Sequence, residues 1–147
     1  MGTRSTYRVL EEWTNEKTNK SESKELLLMY VQFDGYPSGH PLDTAKWLSG
    51  GKVVNGISGE ENDLTFNGAG CLAAQLVAMH KKGVGNTYIE ALENRGDCWE
   101  NYLYDIIVKE DRSIEYVCFE NYDTINEIFR GSADDFIKKF SEVEENV

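Results

Sequence analysis

The chain has 147 residues, of which 40% are hydrophobic and 12% aromatic, and it carries a formal net charge of −11. This length suits one domain with a single core, and the composition is that of a globular rather than a disordered protein. The negative charge argues against binding to nucleic acids or anionic membranes, and no apolar run approaches the roughly 18 residues that a membrane-spanning helix needs.

The first part of the chain predicts two strands joined by a polar loop. Residues 6–13 are rich in β-forming side chains, and residues 25–34 hold the most hydrophobic segment of the chain. Residues 14–24 contain no apolar side chain, so we expect a mobile, exposed loop there. A link of this length suits antiparallel pairing of the two strands.

A sharp turn and two helices follow. Both prolines and two glycines fall within residues 34–41, which predicts a tight turn, and Pro41 suits the start of a short helix that ends at Gly50. Residues 52–70 are rich in glycine and asparagine and predict a loop. Residues 70–82 carry an apolar stripe at helical spacing and predict a second helix.

The remaining segments predict strands and a terminal helix. The strands are expected at 87–92, 101–109, 113–120 and 125–130, and a capping pattern at Ser132 begins the helix. Residues 144–147 are expected to fray. The fold class that this order indicates is one α+β domain over residues 1–143, with a mainly antiparallel sheet of about five strands and two or three packed helices.

The cysteines and histidines argue against a disulfide framework and against a metal centre. Cys71, Cys98 and Cys118 are odd in number and widely spaced, and His40 and His80 are the only histidines. The opening residues lack a basic stretch followed by an apolar core. We therefore expect free thiols, no metal, no cofactor and a cytoplasmic location.

The turn after the second predicted strand carries the densest set of chemically active groups. Strand ends and tight turns commonly display binding groups, so one interpretation of this turn is the wall of a pocket. The other is a structural turn in which Asp34 accepts hydrogen bonds from neighbouring amides or pairs with Arg4. The candidate ligand-binding residues here are Arg4, Asp34, Gly35, Tyr36, Ser38 and His40.

A second pocket wall is predicted near residue 96. Arg95 is a natural partner for phosphate or carboxylate, and Trp99 offers a stacking face, so both are further candidate ligand-binding residues. No segment carries a signature that assembles a catalytic set, and we name no catalytic residue. The interpretation leans towards a binding protein rather than an enzyme.

Two short stretches resemble a known family. Residues 1–5, Met-Gly-Thr-Arg-Ser, and residues 33–39, Phe-Asp-Gly-Tyr-Pro-Ser-Gly, are similar to motifs of small bacteriophage and prophage proteins. Those proteins open with Gly/Ser-Thr-Arg-Ser and carry Trp-Asp-Gly-Tyr-Pro-Ser after a strand. Here Phe33 replaces the tryptophan, and residues 14–24 are longer than the family's hairpin. The resemblance covers about the first 40 residues and carries no assigned activity.

A phage origin implies a protein that acts by binding inside the bacterial host cell. The leading hypothesis is an anti-defence protein that sequesters a small nucleotide-derived immune signal, alone or as a homo-oligomer. One alternative is an acidic inhibitor of a host defence protein that uses residues 101–147, where 12 Asp/Glu face 5 Lys/Arg. The other alternative is a small hydrolase or transferase that acts on a nucleotide.

Overall fold

The computed structural model describes residues 2–145 of the chain, with side chains described as far as Ser141. The eight strands are β1 (Ser5–Asn15), β2 (Lys20–Val31), β3 (Lys52–Val54), β4 (Thr65–Asn67), β5 (Thr87–Glu90), β6 (Tyr102–Val108), β7 (Ile114–Asn121) and β8 (Ile125–Gly131). The three α-helices are α1 (His40–Ser49), α2 (Gly68–His80) and α3 (Ala133–Glu145), and a short 3₁₀ helix spans Leu92–Asn94.

Six strands form one mostly antiparallel sheet in the order β5-β2-β1-β6-β7-β8. The central pair, β1 and β6, is parallel, and the other neighbouring strands are antiparallel. Strands β3 and β4 form a separate parallel pair. The predicted α+β class with a mainly antiparallel sheet and packed helices is confirmed, but the main sheet has six strands rather than about five.

The main core lies between one face of the sheet and the helices. The alternation of strand side chains directs Tyr7, Val9, Met29 and Ile106 to this face, where each is fully buried. Leu72 of α2 and Phe136 of α3 belong to the same cluster and are also fully buried.

The opposite face has a smaller core and a buried ion cluster. Leu10, Ile107 and Val117 form the apolar part. Asp105 is 3% exposed and accepts hydrogen bonds from Arg8 Nε at 3.0 Å and from Arg8 and Arg95 terminal nitrogens at 2.6 and 3.3 Å. A charge buried at this depth needs such partners.

Two predicted loops contain strand instead. The predicted loop at 14–24 is wrong: β1 and β2 extend into it, pairing Thr14 with Ser21 and Trp13 with Glu22, and the turn is confined to residues 16–19. Main-chain hydrogen bonds continue the ladder there although the side chains stay in solvent, so the hydrophobic pattern carried no signal. The predicted loop at 52–70 likewise includes β3, β4 and the first residues of α2.

At the C-terminal end, α3 continues through Glu145. The predicted frayed tail was placed at 144–147, and its last two residues lie outside the described part of the chain. Within residues 2–145, none of the helices has the length and apolar character required to cross a bilayer.

Candidate ligand-binding site

A pocket of about 550 Å³ opens where β2 ends, and we call it the α1 pocket. The turn at residues 33–39, the start of α1, the end of α2 and Asn86 enclose it. Its polar and charged lining residues are Asp34, Ser38, His40, Asp43, Lys46, His80 and Asn86. Its apolar and ring-bearing lining residues are Val31, Phe33, Tyr36, Leu42 and Met79.

The turn that forms one wall is held by hydrogen bonds from beneath. Gly35 N–H donates to the Thr3 carbonyl at 2.9 Å, and the Tyr104 hydroxyl donates to the Gly35 carbonyl at 2.7 Å. Asp34 adopts a φ of 60°, a left-handed conformation that aspartate tolerates better than most residues. These contacts bury Gly35 and leave the side chains of Asp34 and Tyr36 exposed at the mouth of the pocket.

Gly35→Ala is expected to destabilise the protein by about 1–3 kcal/mol, because an added methyl group would be overpacked. A Cβ at this position would lie 2.6 Å from the Ser5 Cβ and 3.0 Å from the Thr3 carbonyl oxygen. Urea denaturation of the variant measures the loss. The matched control is Gly70→Ala, since nothing lies within 4 Å of a Cβ built there. Equal midpoints for Gly35→Ala and the unsubstituted protein would contradict the close packing beneath the turn.

His40 and His80 form the polar floor of the pocket, and the buried side chains of Tyr7 and Thr44 link them. His40 Nδ1 lies 2.8 Å from the Tyr7 hydroxyl, which lies 3.0 Å from Thr44 Oγ1, which lies 2.9 Å from His80 Nε2. The two imidazole rings meet edge to face with centroids 5.3 Å apart. Ser5 Oγ lies 3.4 Å from His40 Nε2.

One arrangement of protons satisfies all of these contacts with neutral histidines. The Thr44 hydroxyl donates to the His40 carbonyl at 3.0 Å, so its oxygen must accept from both Tyr7 and His80. Tyr7 has then used its only proton, so His40 Nδ1–H donates to the Tyr7 oxygen, and the Ser5 hydroxyl donates to His40 Nε2. In this arrangement His80 carries its proton on Nε2 and has an acceptor lone pair on Nδ1.

Both imidazoles are uncharged at neutral pH. Burial, with a smaller contribution from the neighbouring His80, lowers the pKa of His40 to about 3. Burial, with a smaller contribution from Lys82, lowers the pKa of His80 to about 4. Burial also raises the pKa of the Tyr7 phenol, so this hydroxyl keeps its proton. The floor of the pocket is therefore polar but carries no charge.

The rim of the pocket carries rings and a few charges. Phe33 is 48% exposed and Tyr36 is 41% exposed. The charged lining residues are two carboxylates, Asp34 and Asp43, and one ammonium, Lys46. This arrangement can stack on a flat ring and accept hydrogen bonds from its N–H groups.

The predicted site residues separate into different regions of the molecule. Asp34, Tyr36, Ser38 and His40 line the α1 pocket, while Gly35 supports it from beneath. Arg4 does not line it, and the structure shows no ion pair between Arg4 and Asp34, both of which it describes. The predicted pairing is therefore wrong. Instead, the Arg4 N–H donates to Asn101 Oδ1 at 3.2 Å, and the Arg4 carbonyl accepts a hydrogen bond from the Asn101 N–H at 2.9 Å.

Arg95 and Trp99 lie away from the α1 pocket. Arg95 binds Asp105 on the other face of the sheet, and Trp99 lies on a separate surface. Tyr7, Thr44 and His80 were not predicted as site residues from the sequence. Only Thr44 left a signal: it follows His40 by four residues, the spacing that places two side chains on one helix face.

Among residues 2–145, no three or more His, Cys, Asp or Glu side chains gather closely enough to hold a metal ion. What the fold and the pocket define is an α+β protein with a polar cavity at one end of its sheet, whose floor carries two uncharged imidazoles and whose rim carries two carboxylates and one ammonium. The chain matches no protein-family model, no curated protein and no solved structure.

Proposed function

We propose that the protein binds a small, uncharged, ring-bearing molecule of the nucleobase or nucleoside type in the α1 pocket. The observation that carries the proposal is the pairing of an uncharged polar floor with exposed rings at the mouth. The volume of about 550 Å³ falls within the range of small-molecule sites. Tyr36 and Phe33 supply stacking faces, and the carboxylates of Asp34 and Asp43 supply acceptors for a ring N–H.

The charges around the pocket favour the uncharged part of such a ligand over its phosphates. Within the part of the chain that the structure describes, no arginine lines the pocket and Lys46 is its only cationic lining residue, while Asp34 and Asp43 would repel a phosphate group. Of a nucleotide-derived signal, the base and sugar are therefore the portions that we expect the pocket to hold. Sequestration of a host immune signal rests on the resemblance to phage proteins and stays a prediction.

The proton affinities support binding rather than acid–base catalysis at this site. A general base works best with a pKa near the working pH, but the pKa values of His40 and His80 are lowered to about 3 and about 4. Tyr7, with a raised pKa, is a poor source of protons as well. Groups with these properties hold a fixed hydrogen-bonding pattern, which suits recognition.

Titration calorimetry with the four common ribonucleosides and their 5′-monophosphates tests the proposal. At about 100 μM protein we expect at least one nucleoside to bind with a Kd of about 100 μM or tighter, near −5.5 kcal/mol. Tyr36→Ala should weaken that binding about five- to tenfold, because a stacked ring contributes about 1–1.5 kcal/mol. The matched control is Tyr88→Ala, since Tyr88 is 47% exposed and does not line the pocket.

Two results would overturn the proposal. The first is the absence of binding heat with every nucleoside. The second is tighter binding of the monophosphate than of its nucleoside, since the pocket would then recognise the charge that its carboxylates should repel. A nucleoside that binds equally well to Tyr36→Ala would remove the stacking role of this ring.

A further inference from the structure

A second surface of the molecule presents a large aromatic side chain to solvent. Trp99 is 83% exposed and has a φ of 60°, a conformation that bulky residues rarely adopt. Tryptophan is usually well buried, and a strained backbone persists only where its surroundings enforce it. Among the residues that the structure describes, none covers the Trp99 ring, so the ring is available to a partner.

The loop around Trp99 is held by its neighbour Glu100 rather than by the indole ring. Glu100 is 1% exposed, and its carboxylate accepts hydrogen bonds from the Thr6 hydroxyl at 2.9 Å, the Gly96 amide at 3.2 Å and the Cys98 amide at 2.9 Å. These bonds tie the loop to β1 and set its shape. Trp99 can thus be replaced without removing the contacts that build the loop.

Trp99 and Tyr122 border a groove of about 360 Å³. We call this groove and the two rings the Trp99 surface. Residues 96–101 form one side of the groove, and Asn121 and Tyr122 form the other. Tyr122 is 65% exposed, and Ile125, at the start of edge strand β8, is 43% exposed. The surface is therefore aromatic, exposed and close to a free sheet edge.

The groove is acidic. In the described part of the chain, the charged residues that line it are the exposed Asp97 and the buried Glu100, and none is basic. Burial, together with the carboxylates of Glu100, Glu90 and Asp97, raises the pKa of the Cys98 thiol to about 11. Exposed rings beside carboxylates attract cations, since the face of an indole ring carries negative potential.

We propose that the Trp99 surface docks a segment of a partner protein that carries arginine or lysine, with the cationic head on the Trp99 ring and beside Asp97. Charge complementarity selects this occupant. A second copy of the chain, at −11, and a nucleic acid, with its phosphates, would both be repelled. The proposal is independent of the α1 pocket, which Trp99 does not line.

The test is a nuclear magnetic resonance titration with an acetylated hexapeptide of alternating arginine and glycine. We expect saturable shifts of the Trp99 indole N–H and of Tyr122. The same peptide with glutamine for arginine should cause none. Raising the ionic strength from about 0.05 to 0.5 M should weaken binding about tenfold or more, because exposed charges are then screened.

Trp99→Asn removes the ring and keeps a residue type that tolerates the left-handed backbone. This variant should lower the affinity for the arginine peptide about tenfold, as expected for an aromatic anchor. The control is Ile89→Ala, since Ile89 is 60% exposed on the opposite edge strand β5. Unchanged amide resonances outside residues 95–101 show that Trp99→Asn is folded.

Three outcomes would overturn this proposal. They are equal binding of the glutamine and arginine peptides, unaltered affinity in Trp99→Asn, and no shift of the Trp99 indole N–H at about 5 mM peptide, a limit near −3 kcal/mol.

Discussion

Acidification from pH 7 to pH 4.5 is expected to lower the free energy of unfolding by about 3–5 kcal/mol through His40 and His80 alone. Their pKa values are lowered from 6.5 to about 3 and about 4 in the folded protein. Each unit of difference between the unfolded and folded pKa corresponds to about 1.4 kcal/mol. Two pH units are crossed for each histidine between pH 6.5 and 4.5, which gives an upper limit of about 5.5 kcal/mol.

The sign follows from which state takes up the protons. Below pH 6.5 the unfolded chain protonates both imidazoles, while the folded protein keeps them neutral until the pH approaches their lowered pKa values. Stability is therefore unaffected by these groups above pH 6.5 and falls as the pH decreases below it. Glu61, whose pKa is lowered from 4.5 to about 2 by hydrogen bonds from Ser58 and Gly59, loses its contribution to stability mainly below pH 4.5.

Urea denaturation at pH 7.5, 6.5, 5.5 and 4.5 measures the effect. The control is the double variant His40→Gln, His80→Gln, in which the free energy of unfolding should change far less with pH over the same range. The difference between the two proteins isolates the histidines from the general effect of a net charge of −11. Parallel pH profiles for the two proteins would show that the imidazoles are not held neutral.

Asp105→Ala is the second substitution with a large expected effect, a loss of about 3–5 kcal/mol of stability. The Asp105 side chain is 4% exposed, and its two oxygens bind the guanidinium groups of Arg8 and Arg95. Removing the carboxylate would leave two cations close together in a poorly hydrated place. The Arg95 Nε is already buried without a hydrogen-bond partner, so Arg95 depends on this pair.

A matched control lies on the same arginine. Glu25 also binds Arg8, at 2.9 Å, but its side chain is 42% exposed. Glu25→Ala should therefore cost about 0–1 kcal/mol, as exposed ion pairs usually do. Thermal or urea denaturation compares the two variants, and similar losses would show that burial does not strengthen the Asp105 pairs.

The α1 pocket and the Asp105 cluster are on opposite faces of the sheet, so substitutions at the two sites are expected to have independent effects on stability. Asp105→Ala should lower stability at every pH and keep the acid-dependent loss, because His40 and His80 pack on the helix side. The double histidine variant should instead show little of the acid-dependent loss of stability. A loss of pH dependence in Asp105→Ala would mean that the two clusters are coupled through the sheet.

The local pattern of the sequence was sufficient to predict most helices and strands and one wall of the candidate site. Apolar alternation and the stripe over 70–82 indicated the strands and helix α2 because those segments bury one face. The prolines and glycines of 34–41 indicated the turn, and four of its predicted residues line the pocket. These features depend on residues that are close in the sequence, and hydrophobic periodicity and turn-forming residues reflect such local relationships.

The remaining features of the fold and of the candidate site depended on contacts between segments that are distant in the sequence. The extension of β1 and β2 through polar residues is set by main-chain pairing, which leaves no hydrophobic pattern. Tyr7 and His80 join His40 only because β1, α1 and α2 meet at one end of the sheet. Arg4 was predicted to pair with Asp34, and Arg95 was predicted to bind a ligand at a second wall, but a charged residue type carries no information on the direction of its side chain. Packing of the sheet placed Arg95 on Asp105, on the other face, where burial and two guanidinium groups hold the carboxylate.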